Sequence, residues 1–535
     1  MTKSQVQSRR ELFFGLVSPL GVNKDVVRSE LRRVLRDAGY RMTPVQISKF
    51  LVRNEAWLNE KTIDAERRSA LARKQDLMDA GDNLRKKWDV RSNGGGRGDA
   101  GAFAAIMEIL AVRAQHNDGV VVDGFEPEFR SLKSHAYVID SLKHPDELDR
   151  LRRIYGPAFI SIGVYAPKLN RNDNLVGELE AGEENRLVEA LIRRDEDDVK
   201  LGQHVADAFY ATDFIVDATR DSKEIRRDLR RLVELLFGNV HLTPSSDEFG
   251  MFLARSAQVR SSSLARQIGA AVLRSDGTVA SLGTNEVAKA IVGGQYWPMD
   301  DSHRGRDKDY CMPESATPRD TSDWWREEMI SDAIERLNDA GKLNADLSNR
   351  DKEGRLNQLV YADSAPLRQS KIKQNIDYVR AVHAEAAAII DAGRHGTSLL
   401  DTTMYTTTFP CHECGRHIVA AGVREVIYLE PYPKSAVQTL YADSIVVDPS
   451  RGLTDVPDKV VFRTFVGVSP TRYLEFFTLG KRQRKDSRGE PILFELKTAS
   501  PDLPYYTPTP EAIANTEFTQ SKQFSNFVLL KGAQS

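Results

Sequence analysis

Apolar positions along the chain alternate between two spacings. Leu12 to Val17 is a short unbroken apolar run that breaks at Ser18-Pro19-Leu20-Gly21, and it reads as a buried strand. Beyond the break, Val27, Leu31, Val34 and Leu35 recur on one helical face. Strand, glycine-containing turn and amphipathic helix open an α/β unit. The charge-rich stretch at about 53–90 reads as helical, the glycine-rich loop 93–98 follows, and a helix is predicted from Ala102 to Ala114. Strand-like runs then appear at 120–124, 136–140 and 159–166, with a helix within 141–156. This β–α–β alternation over roughly 1–235 predicts a parallel sheet with covering helices.

Near residue 236 the pattern restarts. A helix is predicted within 245–261, then two strands, 268–274 and 278–285, around the Ser275-Asp276-Gly277 turn. Residues 297–380 are polar and irregular apart from a helix at about 323–341, and are expected to form an insertion or lid. A helix from about His383, a strand at 404–409, a helix from Cys411 to Ala421 and a strand at 425–430 follow. The tail combines a basic run at 481–485 with the proline-containing 501–510. The expected organisation is three segments, 1–235, 236–480 and a C-terminal extension 481–535, with no repeat of fixed period.

Composition narrows the classes. A chain of 535 residues needs more than one core. Hydrophobic residues at 41% and charged residues at 28% describe a soluble globular protein. Lys+Arg 75 against Asp+Glu 77 gives a net charge of -2, so the chain lacks the basic surplus that tracking a polynucleotide demands. No apolar run is long enough for a signal peptide or a membrane span, and a cytoplasmic location is expected. The 3 cysteines, Cys311, Cys411 and Cys414, cannot build a disulfide framework, and the close pair invites a metal.

The sharpest chemical signal is His383-Ala384-Glu385 together with Pro410-Cys411-His412-Glu413-Cys414. His383, Cys411 and Cys414 are candidate zinc ligands, and three protein ligands leave one position for water. Two cysteines at the start of a helix lie beside exposed N–H groups, which favours thiolate. Glu385 is placed to move a proton of that water, and H-x-E with P-C-x-x-C is the established zinc deaminase signature. The plainer alternative is a structural zinc or a buried histidine with two core cysteines, but Cys311, His412 and His417 offer no justified spacing for a fourth ligand.

Residues 240–430 resemble the cytidine/deoxycytidylate deaminase superfamily through 245–277, Ser281–Val287, His383–Ile389 and 406–428. The whole chain resembles the anti-phage dCTP deaminases, which fuse a P-loop nucleotide-kinase-like domain to a deaminase module, through 138–156, 163–167, 430–445 and 465–477. The resemblance implies an α/β fold in two parts: a P-loop kinase-like parallel sheet, then a cytidine-deaminase-like α/β/α domain. It implies zinc, attack of an activated water on carbon 4 of cytosine, and Glu385 as proton carrier to ring nitrogen 3 and the departing amine. Substrates would be free deoxycytidine nucleotides, dCTP and dCMP, with dCTP depletion as antiviral defence. Asn285 stands where the family contacts the sugar, although Asn also suits a turn. Arg260, Arg266 and Lys434 are candidate phosphate contacts or plain surface charges, and Tyr432 a base-stacking or loop-packing residue. The resemblance also leans toward a homo-oligomer, with restraint from the N-terminal domain, an interface, or an RNA or protein inhibitor.

Residues 15–25 have the setting of a phosphate loop, after a strand and before a helix, with Gly15, Gly21, Asn23 and Lys24 as candidate nucleotide-binding residues. The spelling departs from the P-loop pattern: the two glycines stand one residue too far apart, Val22 and Asn23 precede Lys24, and Asp25 replaces the Mg²⁺-holding hydroxyl. Backbone N–H groups could still cradle phosphate. Asp123 and Asp140 are candidates for a second acidic motif, and a regulatory nucleotide with Mg²⁺ is expected. The competing readings are a deaminase of RNA or DNA, and a non-catalytic nucleotide sensor with structural zinc.

Overall fold

The structure, a computed structural model, describes residues 9–54, 57–58, 69–91, 97–117, 126–179, 185–196, 202–261, 263, 266–288, 320–362, 364–368, 370, 372, 378–432, 435–449, 456–480, 482–504 and 507–532. Cys311, Lys434, Asp123 with the strand expected at 120–124, and most of the glycine-rich loop 93–98 lie outside the described residues.

Two compact units form, and their bounds differ from the expected segments. The first comprises 1–248, 449–453 and 465–535, and the second comprises 249–448 and 454–464. The tail is therefore neither part of the second unit nor an independent extension, because it returns to the first. Gly467–Val468 adds an antiparallel strand to the first sheet, and the Val468 N–H donates to Glu248 Oε1 at 2.8 Å. Farther on, Glu517 of the helix Pro510–Gly532 meets the buried Arg113 guanidinium at 2.5 Å, opposite Glu11 at 2.7 Å. Tyr137 donates to Glu11 and Tyr155 to Glu517, which satisfies oxygens that burial would otherwise strand.

In the first unit β1 (Leu12–Val17), β2 (Arg41–Gln46), β3 (His135–Leu142), β4 (Phe159–Tyr165) and β5 (Phe214–Asp217) lie parallel in the order β2-β3-β1-β4-β5. Central β1 is buried along its whole length, which is why its sequence is a continuous apolar run rather than an alternating one. Helix Lys24–Asp37 covers one face through Val27, Leu31, Val34 and Leu35, beside Ile225, Leu229, Leu232 and Val233 of helix Ser222–Leu236. The connections leave β1 and β3 toward opposite edges. A crevice opens there, beyond the carboxyl ends of these two strands.

In the second unit β6 (Gly269–Leu273) and β7 (Val279–Thr284) form the expected hairpin, with Gly277 at φ +81 in its turn. β8 (Thr403–Thr408), β9 (Glu425–Glu430), β10 (Ile445–Val447) and β11 (Val460–Thr464) complete the order β10-β11-β9-β8-β6-β7. Only β7–β6–β8 is antiparallel. One face carries helix Ser246–Gln258, and the other carries Ala384–Arg394 and His412–Ala420. The expected irregular insertion is partly structured: helix Thr321–Asp339 and residues 352–361 share a small core of Ile330, Ile334, Leu356 and Val360. Among the described residues no helix is long and apolar enough to cross a membrane.

His135, at the start of β3, is buried beside Arg41, Arg113 and His116, and burial together with these cations pushes its pKa from 6.5 down to about 4. Between those values the unfolded chain binds a proton that the folded form refuses. Stability is therefore full above pH 6.5 and is lost as pH falls toward 4. The loss is expected to reach about 3 kcal/mol. Urea unfolding should show a steeper acid loss in the wild type than in His135→Gln; parallel pH curves would refute this.

Candidate metal centre

The three proposed ligands come from two helix starts on one face of the second sheet. His383 is the N-cap of Ala384–Arg394, in an extended conformation at φ -65 and ψ 152. Cys411 caps His412–Ala420 with similar geometry, its Sγ accepting the Cys414 N–H at 3.4 Å. The C-x-x-C spacing thus spans the cap and the first turn, and both sulfurs converge at the positive end of the helix.

The His383 Nδ1 lies 3.2 Å from Cys411 Sγ and 3.5 Å from Cys414 Sγ, and all three donor atoms fall within 4.8 Å of one another. Zinc bonds of about 2.0–2.3 Å set tetrahedrally give donor–donor edges of about 3.5 Å. The residues present fit that ion, with Nδ1 as the histidine donor. Glu385, buried at 3% exposure, points its Oε2 to within 3.4 Å of Cys414 Sγ.

The electrostatics describe a group of mutually dependent charges. Hydrogen bonding from the Cys414 thiol and from His383 pulls the Cys411 thiol down to about 4, against its burial. Cys414, facing Cys411, burial and Glu385, is pushed up, so the pair releases its first proton readily and its second reluctantly. Burial opposes charge on His383, but the Cys411 sulfur overrides it and lifts the ring to about 8. Burial, reinforced by Cys411 and opposed by His383, lifts Glu385 to about 7, where a carboxyl can both take and give a proton.

Other expected residues fare differently. Asn285 is buried next to the Glu286↔Val382 bridge, which brings it alongside the strand end that leads into His383. Its Oδ1 accepts from Ile268 N–H at 2.7 Å and its Nδ2 donates to the Arg266 carbonyl at 2.6 Å, so in this conformation the side chain shapes the turn. Arg260 is drawn to Glu286 at 3.6 Å and Arg266 to Glu430 at 4.0 Å. Tyr432 packs on the core behind the cysteines. Sequence reasoning missed Ser261, which donates to the Asn285 carbonyl at 2.8 Å, and Ser435, which donates to the Pro410 carbonyl at 2.8 Å. No spacing signals either, since both contacts depend on how separate loops meet. A cavity of about 560 Å³, lined by His383, Cys414, Glu413, Arg416 and His417 among others, opens beside the centre.

In the first unit, the candidate phosphate residues take different structural roles. Gly15 is a correction: it lies inside β1, paired with Ile139 and Ser161, where a Cβ would stand 2.6 Å from Leu142. Its role is close packing within the sheet, and it belongs to no loop. Gly21 takes φ +85 in the turn, and Asn23 caps the following helix by accepting from Asp25 N–H at 3.3 Å. Lys24 is paired with Asp140 at 2.7 Å, and Arg28 reaches the same carboxylate at 2.8 Å.

The helix bearing His383 and Glu385 is seated on Gly283 of β7, where an added Cβ would lie 2.0 Å from the Ala384 carbonyl. Gly283→Ala is expected to lower bound zinc and stability together, by about 1–3 kcal/mol in the latter. Cys414→Ser is expected to lower zinc content with far less effect on unfolding in excess chelator. Elemental analysis of both variants checks this, and full zinc in Cys414→Ser would remove that residue from the ligand set.

Comparison with known proteins bears on the second unit. Residues 244–430 match the family described as the cytidine and deoxycytidylate deaminase zinc-binding region. The deoxycytidylate deaminase of Enterobacteria phage T2 is 41% identical over 54 residues, 10% of this chain and 29% of that protein. The deoxycytidylate deaminase of Pongo abelii is 31% identical over 121 residues, 22% of this chain and 62% of that protein. The chain thus spans less than two thirds of the length of the curated relatives it matches. A solved dCMP deaminase of cyanophage S-TIM5 overlaps 42% of this chain and 99% of its own at 13% identity and a TM-score of 0.20, which carries no weight for the fold. The H-x-E and P-C-x-x-C elements that the fold brings to one point both lie inside the region, residues 244–430, that matches the cytidine and deoxycytidylate deaminase zinc-binding family.

Proposed function

We propose that the protein hydrolytically deaminates free deoxycytidine nucleotides, dCMP and dCTP, to deoxyuridine nucleotides and ammonia. The single observation that carries this reading is the buried Glu385 carboxylate, 3.4 Å from a sulfur of the His383–Cys411–Cys414 cluster. A structural zinc site has no use for an ionisable group held at about 7 beside its ligands. The names of the similar proteins supply the substrate class.

Zinc, when bound by His383, Cys411 and Cys414, supplies the Lewis acidity that makes water a nucleophile near neutral pH. Glu385 accepts a proton from the attacking water and passes it to ring nitrogen 3. It then hands the second water proton to the amine, the C4–N bond breaks, a C4 carbonyl forms, and ammonia leaves. The net charge of -2 weighs against a polynucleotide substrate. Triphosphate turnover, dCTP depletion as antiviral defence, a homo-oligomeric state, an RNA or protein inhibitor and a cytoplasmic setting are parts of the proposal that rest on resemblance. A regulatory nucleotide with Mg²⁺ in the first unit has one further support, the crevice at the carboxyl ends of β1 and β3.

Ammonia release across CMP, dCMP, CTP, dCTP and a cytosine-containing oligonucleotide tests the assignment. Turnover is expected with the deoxynucleotides and not with the oligonucleotide; faster turnover of the oligonucleotide would reverse the reading. Glu385→Gln should keep its zinc and lose about 10²–10⁴ in kcat. Retained activity in that variant would remove Glu385 from the chemistry.

A further inference from the structure

Away from the metal centre, the first unit holds a cavity of about 300 Å³ at the crevice beyond β1 and β3. Part of its lining is apolar, from Leu20, Val22, Ile47, Leu51, Leu77 and Met78. The rest is polar, with Lys24, Lys143, Arg85, Asp195 and Gln203. Beneath that lining, Gln203 Oε1 and Arg85 Nε are buried with no hydrogen-bond partner among the described residues. Gln203 is 5% and Arg85 4% exposed. A small molecule with an apolar body and polar groups suits such a mixed lining.

The polar part of the lining is already occupied from within. Asp195, 1% exposed, accepts the Leu20 N–H on Oδ2 at 2.6 Å and the Lys143 ammonium on Oδ1 at 2.8 Å. The same ammonium donates to the Ser18 carbonyl at 2.8 Å, tying it to the loop. A backbone N–H from the loop after a central parallel strand and a neighbouring lysine are the donors that hold a phosphate group. Asp195 stands in the last turn of helix Asn185–Glu196, where the helix dipole disfavours a negative charge. The remaining cations of the lining are also paired, Lys24 with Asp140 at 2.7 Å and Arg85 with Asp82 at 3.0 Å.

We propose that Asp195 is an internal stand-in for phosphate: a phosphate-bearing small molecule entering this cavity displaces its carboxylate from Leu20 and Lys143 and so releases helix Asn185–Glu196 from the loop. This rests on reading the first unit as nucleotide-binding and adds how binding is sensed.

The test uses the full chain and inorganic pyrophosphate, which carries no base and engages no deamination. By calorimetry, Asp195→Asn is expected to bind pyrophosphate roughly tenfold or more tightly than the wild type, because the competing charge is gone. In the wild type, hydrogen exchange at saturating pyrophosphate should slow in residues 18–22 and speed up in Asn185–Glu196. This second readout stands even if the variant does not fold. Equal or weaker affinity in a folded variant, or slowed exchange in both segments, overturns the displacement while leaving nucleotide binding by the unit intact. No binding at millimolar pyrophosphate overturns the site itself. None of these outcomes depends on ammonia release.

Discussion

An imidazole, two thiols and a carboxyl share one buried pocket in the second unit, and the charge each can carry depends on the others. Glu385 is held near neutrality by burial, Cys411 is drawn to the thiolate, and Cys414 resists a second negative charge beside the first. A dication among His383, Cys411 and Cys414 resolves that conflict, since it stabilises both thiolates and pairs with the imidazole in its neutral form.

Backbone proximity makes the pocket possible. Gly283 lets β7 run directly beneath the first turn of Ala384–Arg394, and Gly269 lets β6 approach Ala254 and Gln258 on the other face, where a Cβ would lie 2.0 Å from the Ala254 carbonyl. With the helix start pinned in this way, the cap conformation of His383 decides which ring nitrogen faces the sulfurs. The parallel pair β8 and β9 places the Cys411 cap at the carboxyl end of β8, so both helix starts arrive at the same rim of the sheet.

The first unit is organised by a different use of charge. Arg113 lies between Glu11 at the start of β1 and Glu517 on the last helix, and two tyrosine hydroxyls complete the set. A buried set of this kind adds little net stability over an apolar replacement, but breaking one member leaves an unpaired buried charge. It therefore specifies where the C-terminal helix docks. Near the crevice the same principle operates with Asp195, Lys143 and the loop, where the pairing is close to a cavity rather than sealed in the core.

The local sequence alone determined the strands and helices whose apolar spacing is strong, among them β1, β4, the hairpin β6–β7, and the helices that begin at Lys24 and Ala384. The candidate ligands were legible there too, because one histidine, two cysteines and an acid at those spacings are short-range facts. Weak or interrupted patterns hid others. The Arg-Met-Thr-Pro-Val-Gln segment of β2 is half exposed and contains a proline, which an edge strand tolerates, and the four residues of β5 are too few to show a period. The boundaries at 235 and 480 misplaced the tail because an edge strand such as Gly467–Val468 is recognised by its partner, not by its own two residues. Gly15 looked like part of a phosphate loop until the sheet register showed it paired on both sides. What only the tertiary structure decided is which distant groups share low-dielectric space: Glu385 with the sulfurs, Asp195 with Leu20 and Lys143, and Glu517 with Arg113. Spacing along a chain sets local geometry, whereas a charge's meaning comes from the neighbours that folding supplies and the water it removes.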